Sequence, residues 1–191
     1  KMQGENFTGE DFSSSNELKL FRAITLIHNS KNENALQILN ELSNSDPNNP
    51  YVYYYSGIIK ESSQSSDAVN FFQRAIQLKP DFAEAYIKIG AIYEKTGEQE
   101  KAIESYKNAL KVRSFPEAHY NLGLIYERIG KIEDAIESYK NYISTKPDYA
   151  HRGYSRLSFL YRTSGRFKEA MDSALKVLEK FPDDIDANYT Y

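Results

Sequence analysis

The chain of 191 residues contains no cysteine and no tryptophan. The lack of cysteine excludes disulfide bonds, thiolate metal sites and cysteine nucleophiles, but it leaves the compartment open because secreted proteins can also lack cysteine. Glycine and proline are scarce, at 9 and 6 residues, and no long alternation of apolar and polar residues suggests strands. These absences together favour a helical protein.

Charge of one sign and long apolar runs are also lacking. The formal net charge of −3 gives no global field that would attract nucleic acid or an anionic membrane. The basic residues are dispersed, and no apolar run approaches the roughly 20 residues that a membrane-spanning helix needs. We therefore expect no nucleic-acid partner and no membrane span. The start at Lys1 indicates an excised or processed fragment, so a cytoplasmic, periplasmic or secreted location stays open.

The chain does contain an internal repeat of 33 to 35 residues. Three residue types mark it independently of one another. They are Pro47, Pro80, Pro147 and Pro182; two glycine series, Gly57, Gly90 and Gly123 with Gly97, Gly130 and Gly165; and Ala35, Ala68, Ala102, Ala135 and Ala170. A period of this length is typical of proteins that are built from stacked helical units.

Each repeat has two helical halves, as the unit over residues 83–115 illustrates. Apolar and small residues share one helical face in each half, Tyr86, Ile89, Gly90 and Tyr93 in the first and Ala102, Tyr106 and Ala109 in the second. Between the halves, Gly97 can take the left-handed conformation that ends a helix. The pattern predicts two antiparallel amphipathic helices that cross closely at small residues such as Gly123.

In these features the chain resembles the tetratricopeptide repeat family, whose unit has a bulky residue, Leu-Gly, Tyr, Ala, an aromatic residue, Ala and Pro. The copy over residues 116–150 carries Leu122, Gly123, Tyr126, Gly130, Ala135, Tyr139 and Pro147. The resemblance implies an all-α fold, an α-solenoid of antiparallel helix pairs that forms a right-handed superhelix of about five repeats.

The repeat boundaries predict the organisation of the chain. We expect a flexible segment over residues 1–15 and a degenerate repeat without the marker glycines over 16–49. Four further repeats follow over residues 50–82, 83–115, 116–150 and 151–184, the first of them with a polar turn at residues 62–66. Residues 185–191 are expected to begin a capping helix or a further repeat.

No group of residues predicts catalysis. His28, His119 and His151 fall in different repeats without metal-ligand partners at helical spacing, and His119 is expected to pack as the bulky residue of its repeat. The glycines form no phosphate-binding loop, and the glutamates around Glu100 are explained by solvation and pairing along a helix. We expect no enzymatic activity, no cofactor and no bound metal.

The resemblance also implies a binding surface, because the first helices of successive tetratricopeptide repeats line a concave groove that holds a peptide or a helix. The candidate partner-binding residues at groove-facing positions are Tyr51, Tyr54, Tyr55, Lys88, Tyr120, Asn121, Arg152, Arg156 and Phe159. The groove is expected to be aromatic towards its N-terminal end and basic towards its C-terminal end. The tyrosines of residues 51–55 either form a recognition surface or contact the degenerate first repeat.

The sequence therefore predicts a non-enzymatic scaffold for protein–protein interaction. Some family members bind the C-terminal carboxylate of chaperones, and Asn121, Arg152 and Arg156 match parts of that clamp. Ile87 and Ala91 replace its first Lys and Asn, so the clamp is incomplete, and the expected ligand is an acidic or carboxylate-bearing segment of a protein. The alternatives are a self-assembling structural array, which would form homo-oligomers, and a recruitment domain cut from a larger protein.

Overall fold

A computed structural model describes residues 15–62 and 67–190 of the chain. The helices of these residues are α1 (Asn16–His28), α2 (Asn32–Ser45), α3 (Pro50–Ser62), α4 (Ala68–Leu78), α5 (Ala83–Thr96), α6 (Gln99–Val112), α7 (Pro116–Arg128), α8 (Ile132–Thr145), α9 (Ala150–Thr163), α10 (Phe167–Leu178) and α11 (Ile185–Thr190), with a 3₁₀ turn at Pro147–Tyr149.

The helices from α1 to α10 pack in sequential antiparallel pairs, which gives about five repeats and confirms the predicted all-helical repeat architecture. We call the first helix of each pair the A helix and the second the B helix. The chain divides within α5 into two compact units, Lys1–Ile92 and Tyr93–Tyr191.

Two expected segments lie largely outside the described residues. The segment over residues 1–15 is described only at Ser15, whose Oγ accepts a hydrogen bond from the Leu18 N–H at 3.2 Å and caps α1. The polar turn expected at residues 62–66 is described only at Ser62, the last residue of α3. Helix α11 lies where the sequence predicts the opening turns of a further helix.

The core of the first unit joins its first three helices. Ala23 of α1, Leu39 and Leu42 of α2, and Val52 and Ile59 of α3 are all buried in one cluster. The degenerate first repeat therefore packs through aliphatic side chains. The core of the second unit contains larger aromatic residues, since Tyr106 and Tyr139 are fully buried and Tyr126 is nearly so, as the repeat pattern predicts.

Glycine lets the B helix approach the A helix closely within a pair. A Cβ atom added to Gly123 would lie 2.6 Å from Cε1 of Tyr139, and one added to Gly57 would lie 2.7 Å from Cε1 of Phe72. Carbon atoms pack at about 3.5–4 Å, so no larger residue fits beneath the ring unless the ring or the helices move. The aromatic ring and the glycine thus set the spacing of the pair.

In the four A–B turns that the structure describes in full, the turn ends in a left-handed residue. Gly97, Gly130 and Gly165 have φ angles of +83°, +76° and +76°, which confirms the role predicted for Gly97. In the first repeat Ser30 holds this position with φ of +58°. The N–H of the residue that follows bonds back to the last turn of the A helix in each case, from Lys31 to Leu26 O at 2.8 Å in the first.

Exchange of the left-handed residues should change stability in opposite directions. Ser30→Gly should raise the free energy of unfolding by about 0.5 kcal/mol, because relief of backbone strain exceeds the added freedom of the unfolded chain. Gly130→Ala should lower the free energy of unfolding by about 0.5–1 kcal/mol. Because nothing lies within 4 Å of the added Cβ, this loss comes from the strain of a positive φ and not from a clash. Urea unfolding measures both, and a loss of stability in Ser30→Gly would contradict this assignment.

Substitution of Gly123 should be costly because of the Tyr139 ring. Gly123→Ala should lower the free energy of unfolding by about 1–3 kcal/mol through overpacking. Gly123→Leu should lower the free energy of unfolding further. The matched control is Ser158→Ala, at the equivalent position of α9, where Ala174 replaces the ring; it should change stability by less than about 0.5 kcal/mol or increase it. Equal effects of the two alanine substitutions in urea unfolding would exclude the ring as the cause.

Candidate functional site

Tyr51 lies at the surface of the first unit among aromatic and cationic neighbours. Its side chain is 39% exposed, and its ring packs edge-on against Phe82 with 5.2 Å between centroids. Lys79 Nζ donates a hydrogen bond to the Tyr51 hydroxyl at 3.0 Å. Tyr51 therefore presents an accessible ring that is already oriented by its neighbours.

Tyr54 and Tyr55 contribute to packing as well as to the surface. The Tyr54 ring lies 4.7 Å from Phe82 and 5.7 Å from Phe72, between centroids. Burial, with the nearby Tyr55 and Glu84, raises the pKa of Tyr54 to about 12. Tyr55 packs against the core cluster that α1, α2 and α3 share. Tyr54 and Tyr55 therefore take part in the packing of the first unit, and the recognition role of this tyrosine run stays a prediction.

Lys88 on α5 is engaged inside its own unit. Its Nζ lies 2.9 Å from Oε2 of Glu61 on α3, and the two side chains are 34% and 30% exposed. Half-exposed ion pairs contribute little to stability, about 0.2–1 kcal/mol. The pair nevertheless places Lys88 beside a carboxylate, which reduces the positive charge that it offers to an anionic ligand.

Arg156 is paired in the same way in the second unit. Its Nη1 lies 3.4 Å from Oε1 of Glu127. The other carboxylate oxygen of Glu127 accepts a hydrogen bond from the Tyr139 hydroxyl at 2.8 Å. Burial, reinforced by this carboxylate, raises the pKa of Tyr139. Glu127 thus links a buried core tyrosine to a surface arginine.

Asn121 belongs to an equivalent group one repeat earlier. Its side-chain amide donates to the Tyr106 hydroxyl at 3.0 Å, and that hydroxyl donates to Glu94 at 3.3 Å. Arg128 Nη2 lies 3.3 Å from the other oxygen of Glu94. Burial is the main cause that raises the pKa of Tyr106, with the charge of Glu94 next. The structure therefore gives Asn121 an internal partner.

Glu61, Glu94 and Glu127 were not singled out as site residues by the sequence. Each lies near the end of an A helix and is 33 residues from the next, so the repeat spacing already contained the signal. Each forms an ion pair with a lysine or an arginine of its own unit. We call these three glutamates with their partners the acid ladder.

The remaining predicted residues of the second unit are more open. The Arg152 guanidinium carbon lies 4.7 Å from the Tyr120 ring centroid, and Tyr120 packs in turn on Tyr142 with 5.0 Å between centroids. Phe159 is 44% exposed, with the guanidinium of Arg162 6.0 Å from its ring centroid. Helices α7 and α9 thus carry aromatic and guanidinium groups that a partner can contact.

The histidines lie apart from this surface chemistry. His119 is half-buried, with Nε2 3.1 Å from the Ser114 hydroxyl, and burial lowers its pKa, in agreement with its expected packing role. Burial also lowers the pKa of His151, and the nearby Lys180 adds to this. In the described part of the chain no three His, Asp or Glu side chains cluster as a metal site. None of its helices has the length and apolarity to cross a bilayer.

Family models match the middle of the chain. A TPR repeat model matches residues 60–97 and 95–130, and a tetratricopeptide repeat model matches residues 116–149. Together these matches span residues 60–149, the part of the chain that carries helices α4 to α8. The chain is a TPR repeat-containing protein.

Known proteins with similar sequence or structure are also TPR proteins. TPR repeat-containing protein MJ1428 of Methanocaldococcus jannaschii is 32% identical over 96 residues, which is 50% of this chain but only 17% of that relative's length. The crystal structure of MamA protein superimposes with a TM-score of 0.75 at 26% identity, covering 86% of this chain and 91% of that one. YrrB superimposes with a TM-score of 0.73 at 16% identity, covering 94% and 93%.

Proposed function

We propose that this protein is a non-catalytic scaffold that holds a peptide or a helix of a partner protein on the exposed faces of its A helices. TPR repeats as a class typically mediate protein–protein interactions. The observation that carries the proposal is the open group on α7 and α9, in which Arg152 stacks on Tyr120 and Phe159 is exposed. Rigid aromatic rings and guanidinium groups are the side chains most enriched at binding hot spots.

Two further observations support a peptide as the ligand. YrrB, whose fold is similar, is described as a TPR protein with an unusual peptide-binding site, so the fold can present such a site. In the second unit, Arg152 has its guanidinium on an aromatic face and no carboxylate partner among the described residues. A cation in this setting can bind an acidic group of a peptide and stay stacked.

The proposal is tested with peptides selected from a random library displayed on phage against the full chain. Arg152→Ala with Arg156→Ala should weaken binding of selected peptides about tenfold and flatten its salt dependence, because two cations leave the A-helix face. The measurement is fluorescence anisotropy of labelled peptides at low and high salt.

A matched pair of cations on the B helix of the same repeat provides the control. Lys168→Ala with Lys176→Ala removes the same charge from the exposed surface of α10 and should leave affinity nearly unchanged. Equal losses in the two double variants would show that only net charge matters, and unchanged binding in the first would refute the A-helix face as the site.

Self-assembly is the second candidate function, and an exposed apolar stripe on α10 favours it. Phe167, Met171 and Leu175 are spaced by four residues, so they share one helix face, and they are 71%, 39% and 38% exposed. Ile136 on α8, 35 residues before Met171, is buried, and α8 packs against the A helix α9 of the next repeat. The stripe therefore suits the A helix of another repeat, which a second copy of this chain supplies.

Light scattering after size-exclusion chromatography distinguishes the two candidates. Self-assembly predicts a mass that rises with concentration and falls to the monomer in Met171→Lys, because a charge enters the stripe. Asp172→Lys, its exposed neighbour, is the control and should retain the larger mass. A monomer at every concentration would eliminate self-assembly and leave the scaffold.

A further inference from the structure

A pocket of about 400 Å³ opens beside the C-terminal half of α9 in the second unit. Its walls combine two guanidinium groups, hydroxyls, an aromatic ring and a carboxylate. The residues that matter for its chemistry are Arg156, Ser158, Phe159, Arg162, Asp186 and Ala187. Four of them belong to one face of α9, and the last two belong to α11.

The pocket exists because three linked residues of the repeat change together. In the preceding repeat the Tyr139 ring covers Gly123, and its hydroxyl donates to Glu127. The residues 35 positions later differ at all three places. Ser158 replaces the glycine, Arg162 replaces the glutamate, and Ala174 replaces the tyrosine. Ala187 of α11 belongs to the same buried cluster as Ala174. The pocket is therefore a specific departure from the acid ladder.

The Ser158 hydroxyl is buried without a hydrogen-bond partner in the described part of the chain. The other buried serines, Ser56, Ser105, Ser138 and Ser173, each donate to a backbone carbonyl one turn earlier, at 2.8 or 2.9 Å. A buried hydroxyl without a partner destabilises the fold, because it has lost its hydrogen bonds to water and gained none in return. Because Ser158 lines the pocket, rotation about χ1 can turn its hydroxyl to an acceptor there and recover this loss.

Arg162 supplies the charge. It forms no ion pair within the described residues, and its guanidinium carbon lies 6.0 Å from the Phe159 ring centroid, whereas Arg156 is held by Glu127 at 3.4 Å. A guanidinium group binds a carboxylate through two parallel hydrogen bonds. Arg162 is thus the pocket's main anion-binding group, and Arg156 is already largely neutralised.

The remaining walls define which anion fits. The Asp186 carboxylate lowers the net positive charge of the pocket, which reduces the advantage that a doubly charged phosphate would otherwise have over a singly charged carboxylate. Phe159 and Ala187 offer apolar contact to the groups that flank the anion. These features match a carboxylate on a short apolar stretch of peptide.

We propose that this pocket binds a carboxylate of the partner's peptide, with Arg162 as its bidentate partner and Ser158 as an additional donor. This inference rests on the proposed scaffold function and adds an anchor point to it. The carboxylate can come from an acidic side chain or from the end of the peptide, and the chemistry that recognises it is the same.

The test uses the full ¹⁵N-labelled chain and three peptides, with the Arg162 Nε–H signal as the readout. Acetyl-Ala-Leu-Glu-Leu-Ala-amide carries a side-chain carboxylate. The same sequence with Gln and a C-terminal amide carries none, and the Gln peptide with a free C-terminus carries only the terminal one. We expect the Arg162 signal to shift and saturate with at least one carboxylate peptide but not with the neutral peptide. The carboxylate peptide that shifts the Arg162 signal shows whether the bound carboxylate belongs to a side chain or to the C-terminus of a peptide.

Variants and a competitor complete the experiment. Arg162→Gln removes the reporting Nε–H itself, so its binding is followed by fluorescence anisotropy of the labelled carboxylate peptide, and saturable binding should be lost. Ser158→Ala, followed at the Arg162 signal, should weaken affinity on the order of tenfold, the loss expected for one hydrogen bond to a charged group. Ser173→Ala, which removes a buried hydroxyl that is already bonded, should leave affinity unchanged. Inorganic phosphate should compete poorly, and stronger competition by phosphate would overturn the carboxylate assignment.

The pocket and the scaffold function can fail separately. Equal shifts with the neutral peptide, a silent Arg162 signal, or no effect of Ser158→Ala would overturn the pocket assignment. In any of those cases, weaker binding of the library-selected peptides by the Arg152→Ala, Arg156→Ala double variant would still support the scaffold function. Conversely, saturation at Arg162 without any effect of that double variant would support the pocket and refute the wider A-helix face.

Discussion

The contact of an aromatic ring on a B helix with a glycine on its A helix determines the remaining architecture of the repeat. The ring of Phe72 covers Gly57, and that of Tyr139 covers Gly123. The contact fixes how closely the two helices approach, and where the ring is a tyrosine it also delivers a hydroxyl to a glutamate near the end of the A helix. One packing interaction thus sets both the helix spacing and the position of a surface carboxylate.

This coupling determines which side chains are left for a ligand. Lys88, Asn121 and Arg156 stand at groove-facing positions, but the acid ladder and its tyrosines already engage them. Arg152 stacks on the face of Tyr120 and has no carboxylate partner in the part of the chain that the structure describes. In the fifth repeat the ring is absent and the acid is replaced by Arg162, so the same positions form an open pocket. Binding chemistry therefore follows from where the repeat pattern is broken.

Much of the fold could be predicted from the sequence, because small residues and turn glycines recur with the period of the helix pairs. Gly97 is left-handed as predicted. Ser30 was missed because serine carries no signal for a positive φ, and only its place in the repeat marks it. The internal pairing of Arg156 could not be foreseen from a list of groove-facing residues, since it depends on side chains from a neighbouring repeat. The Ser158 pocket needed the same three-dimensional information.

The central claim is that a partner protein lies on the A-helix face, and site-specific photo-cross-linking tests it most directly. Phe159→p-benzoylphenylalanine places the probe on α9, and Lys140→p-benzoylphenylalanine places it on the exposed surface of the B helix α8. In extract of the source cells, the account predicts an adduct with a distinct protein from position 159 and little or none from position 140. Equal adducts from both positions, or adducts only with further copies of this chain, would contradict it.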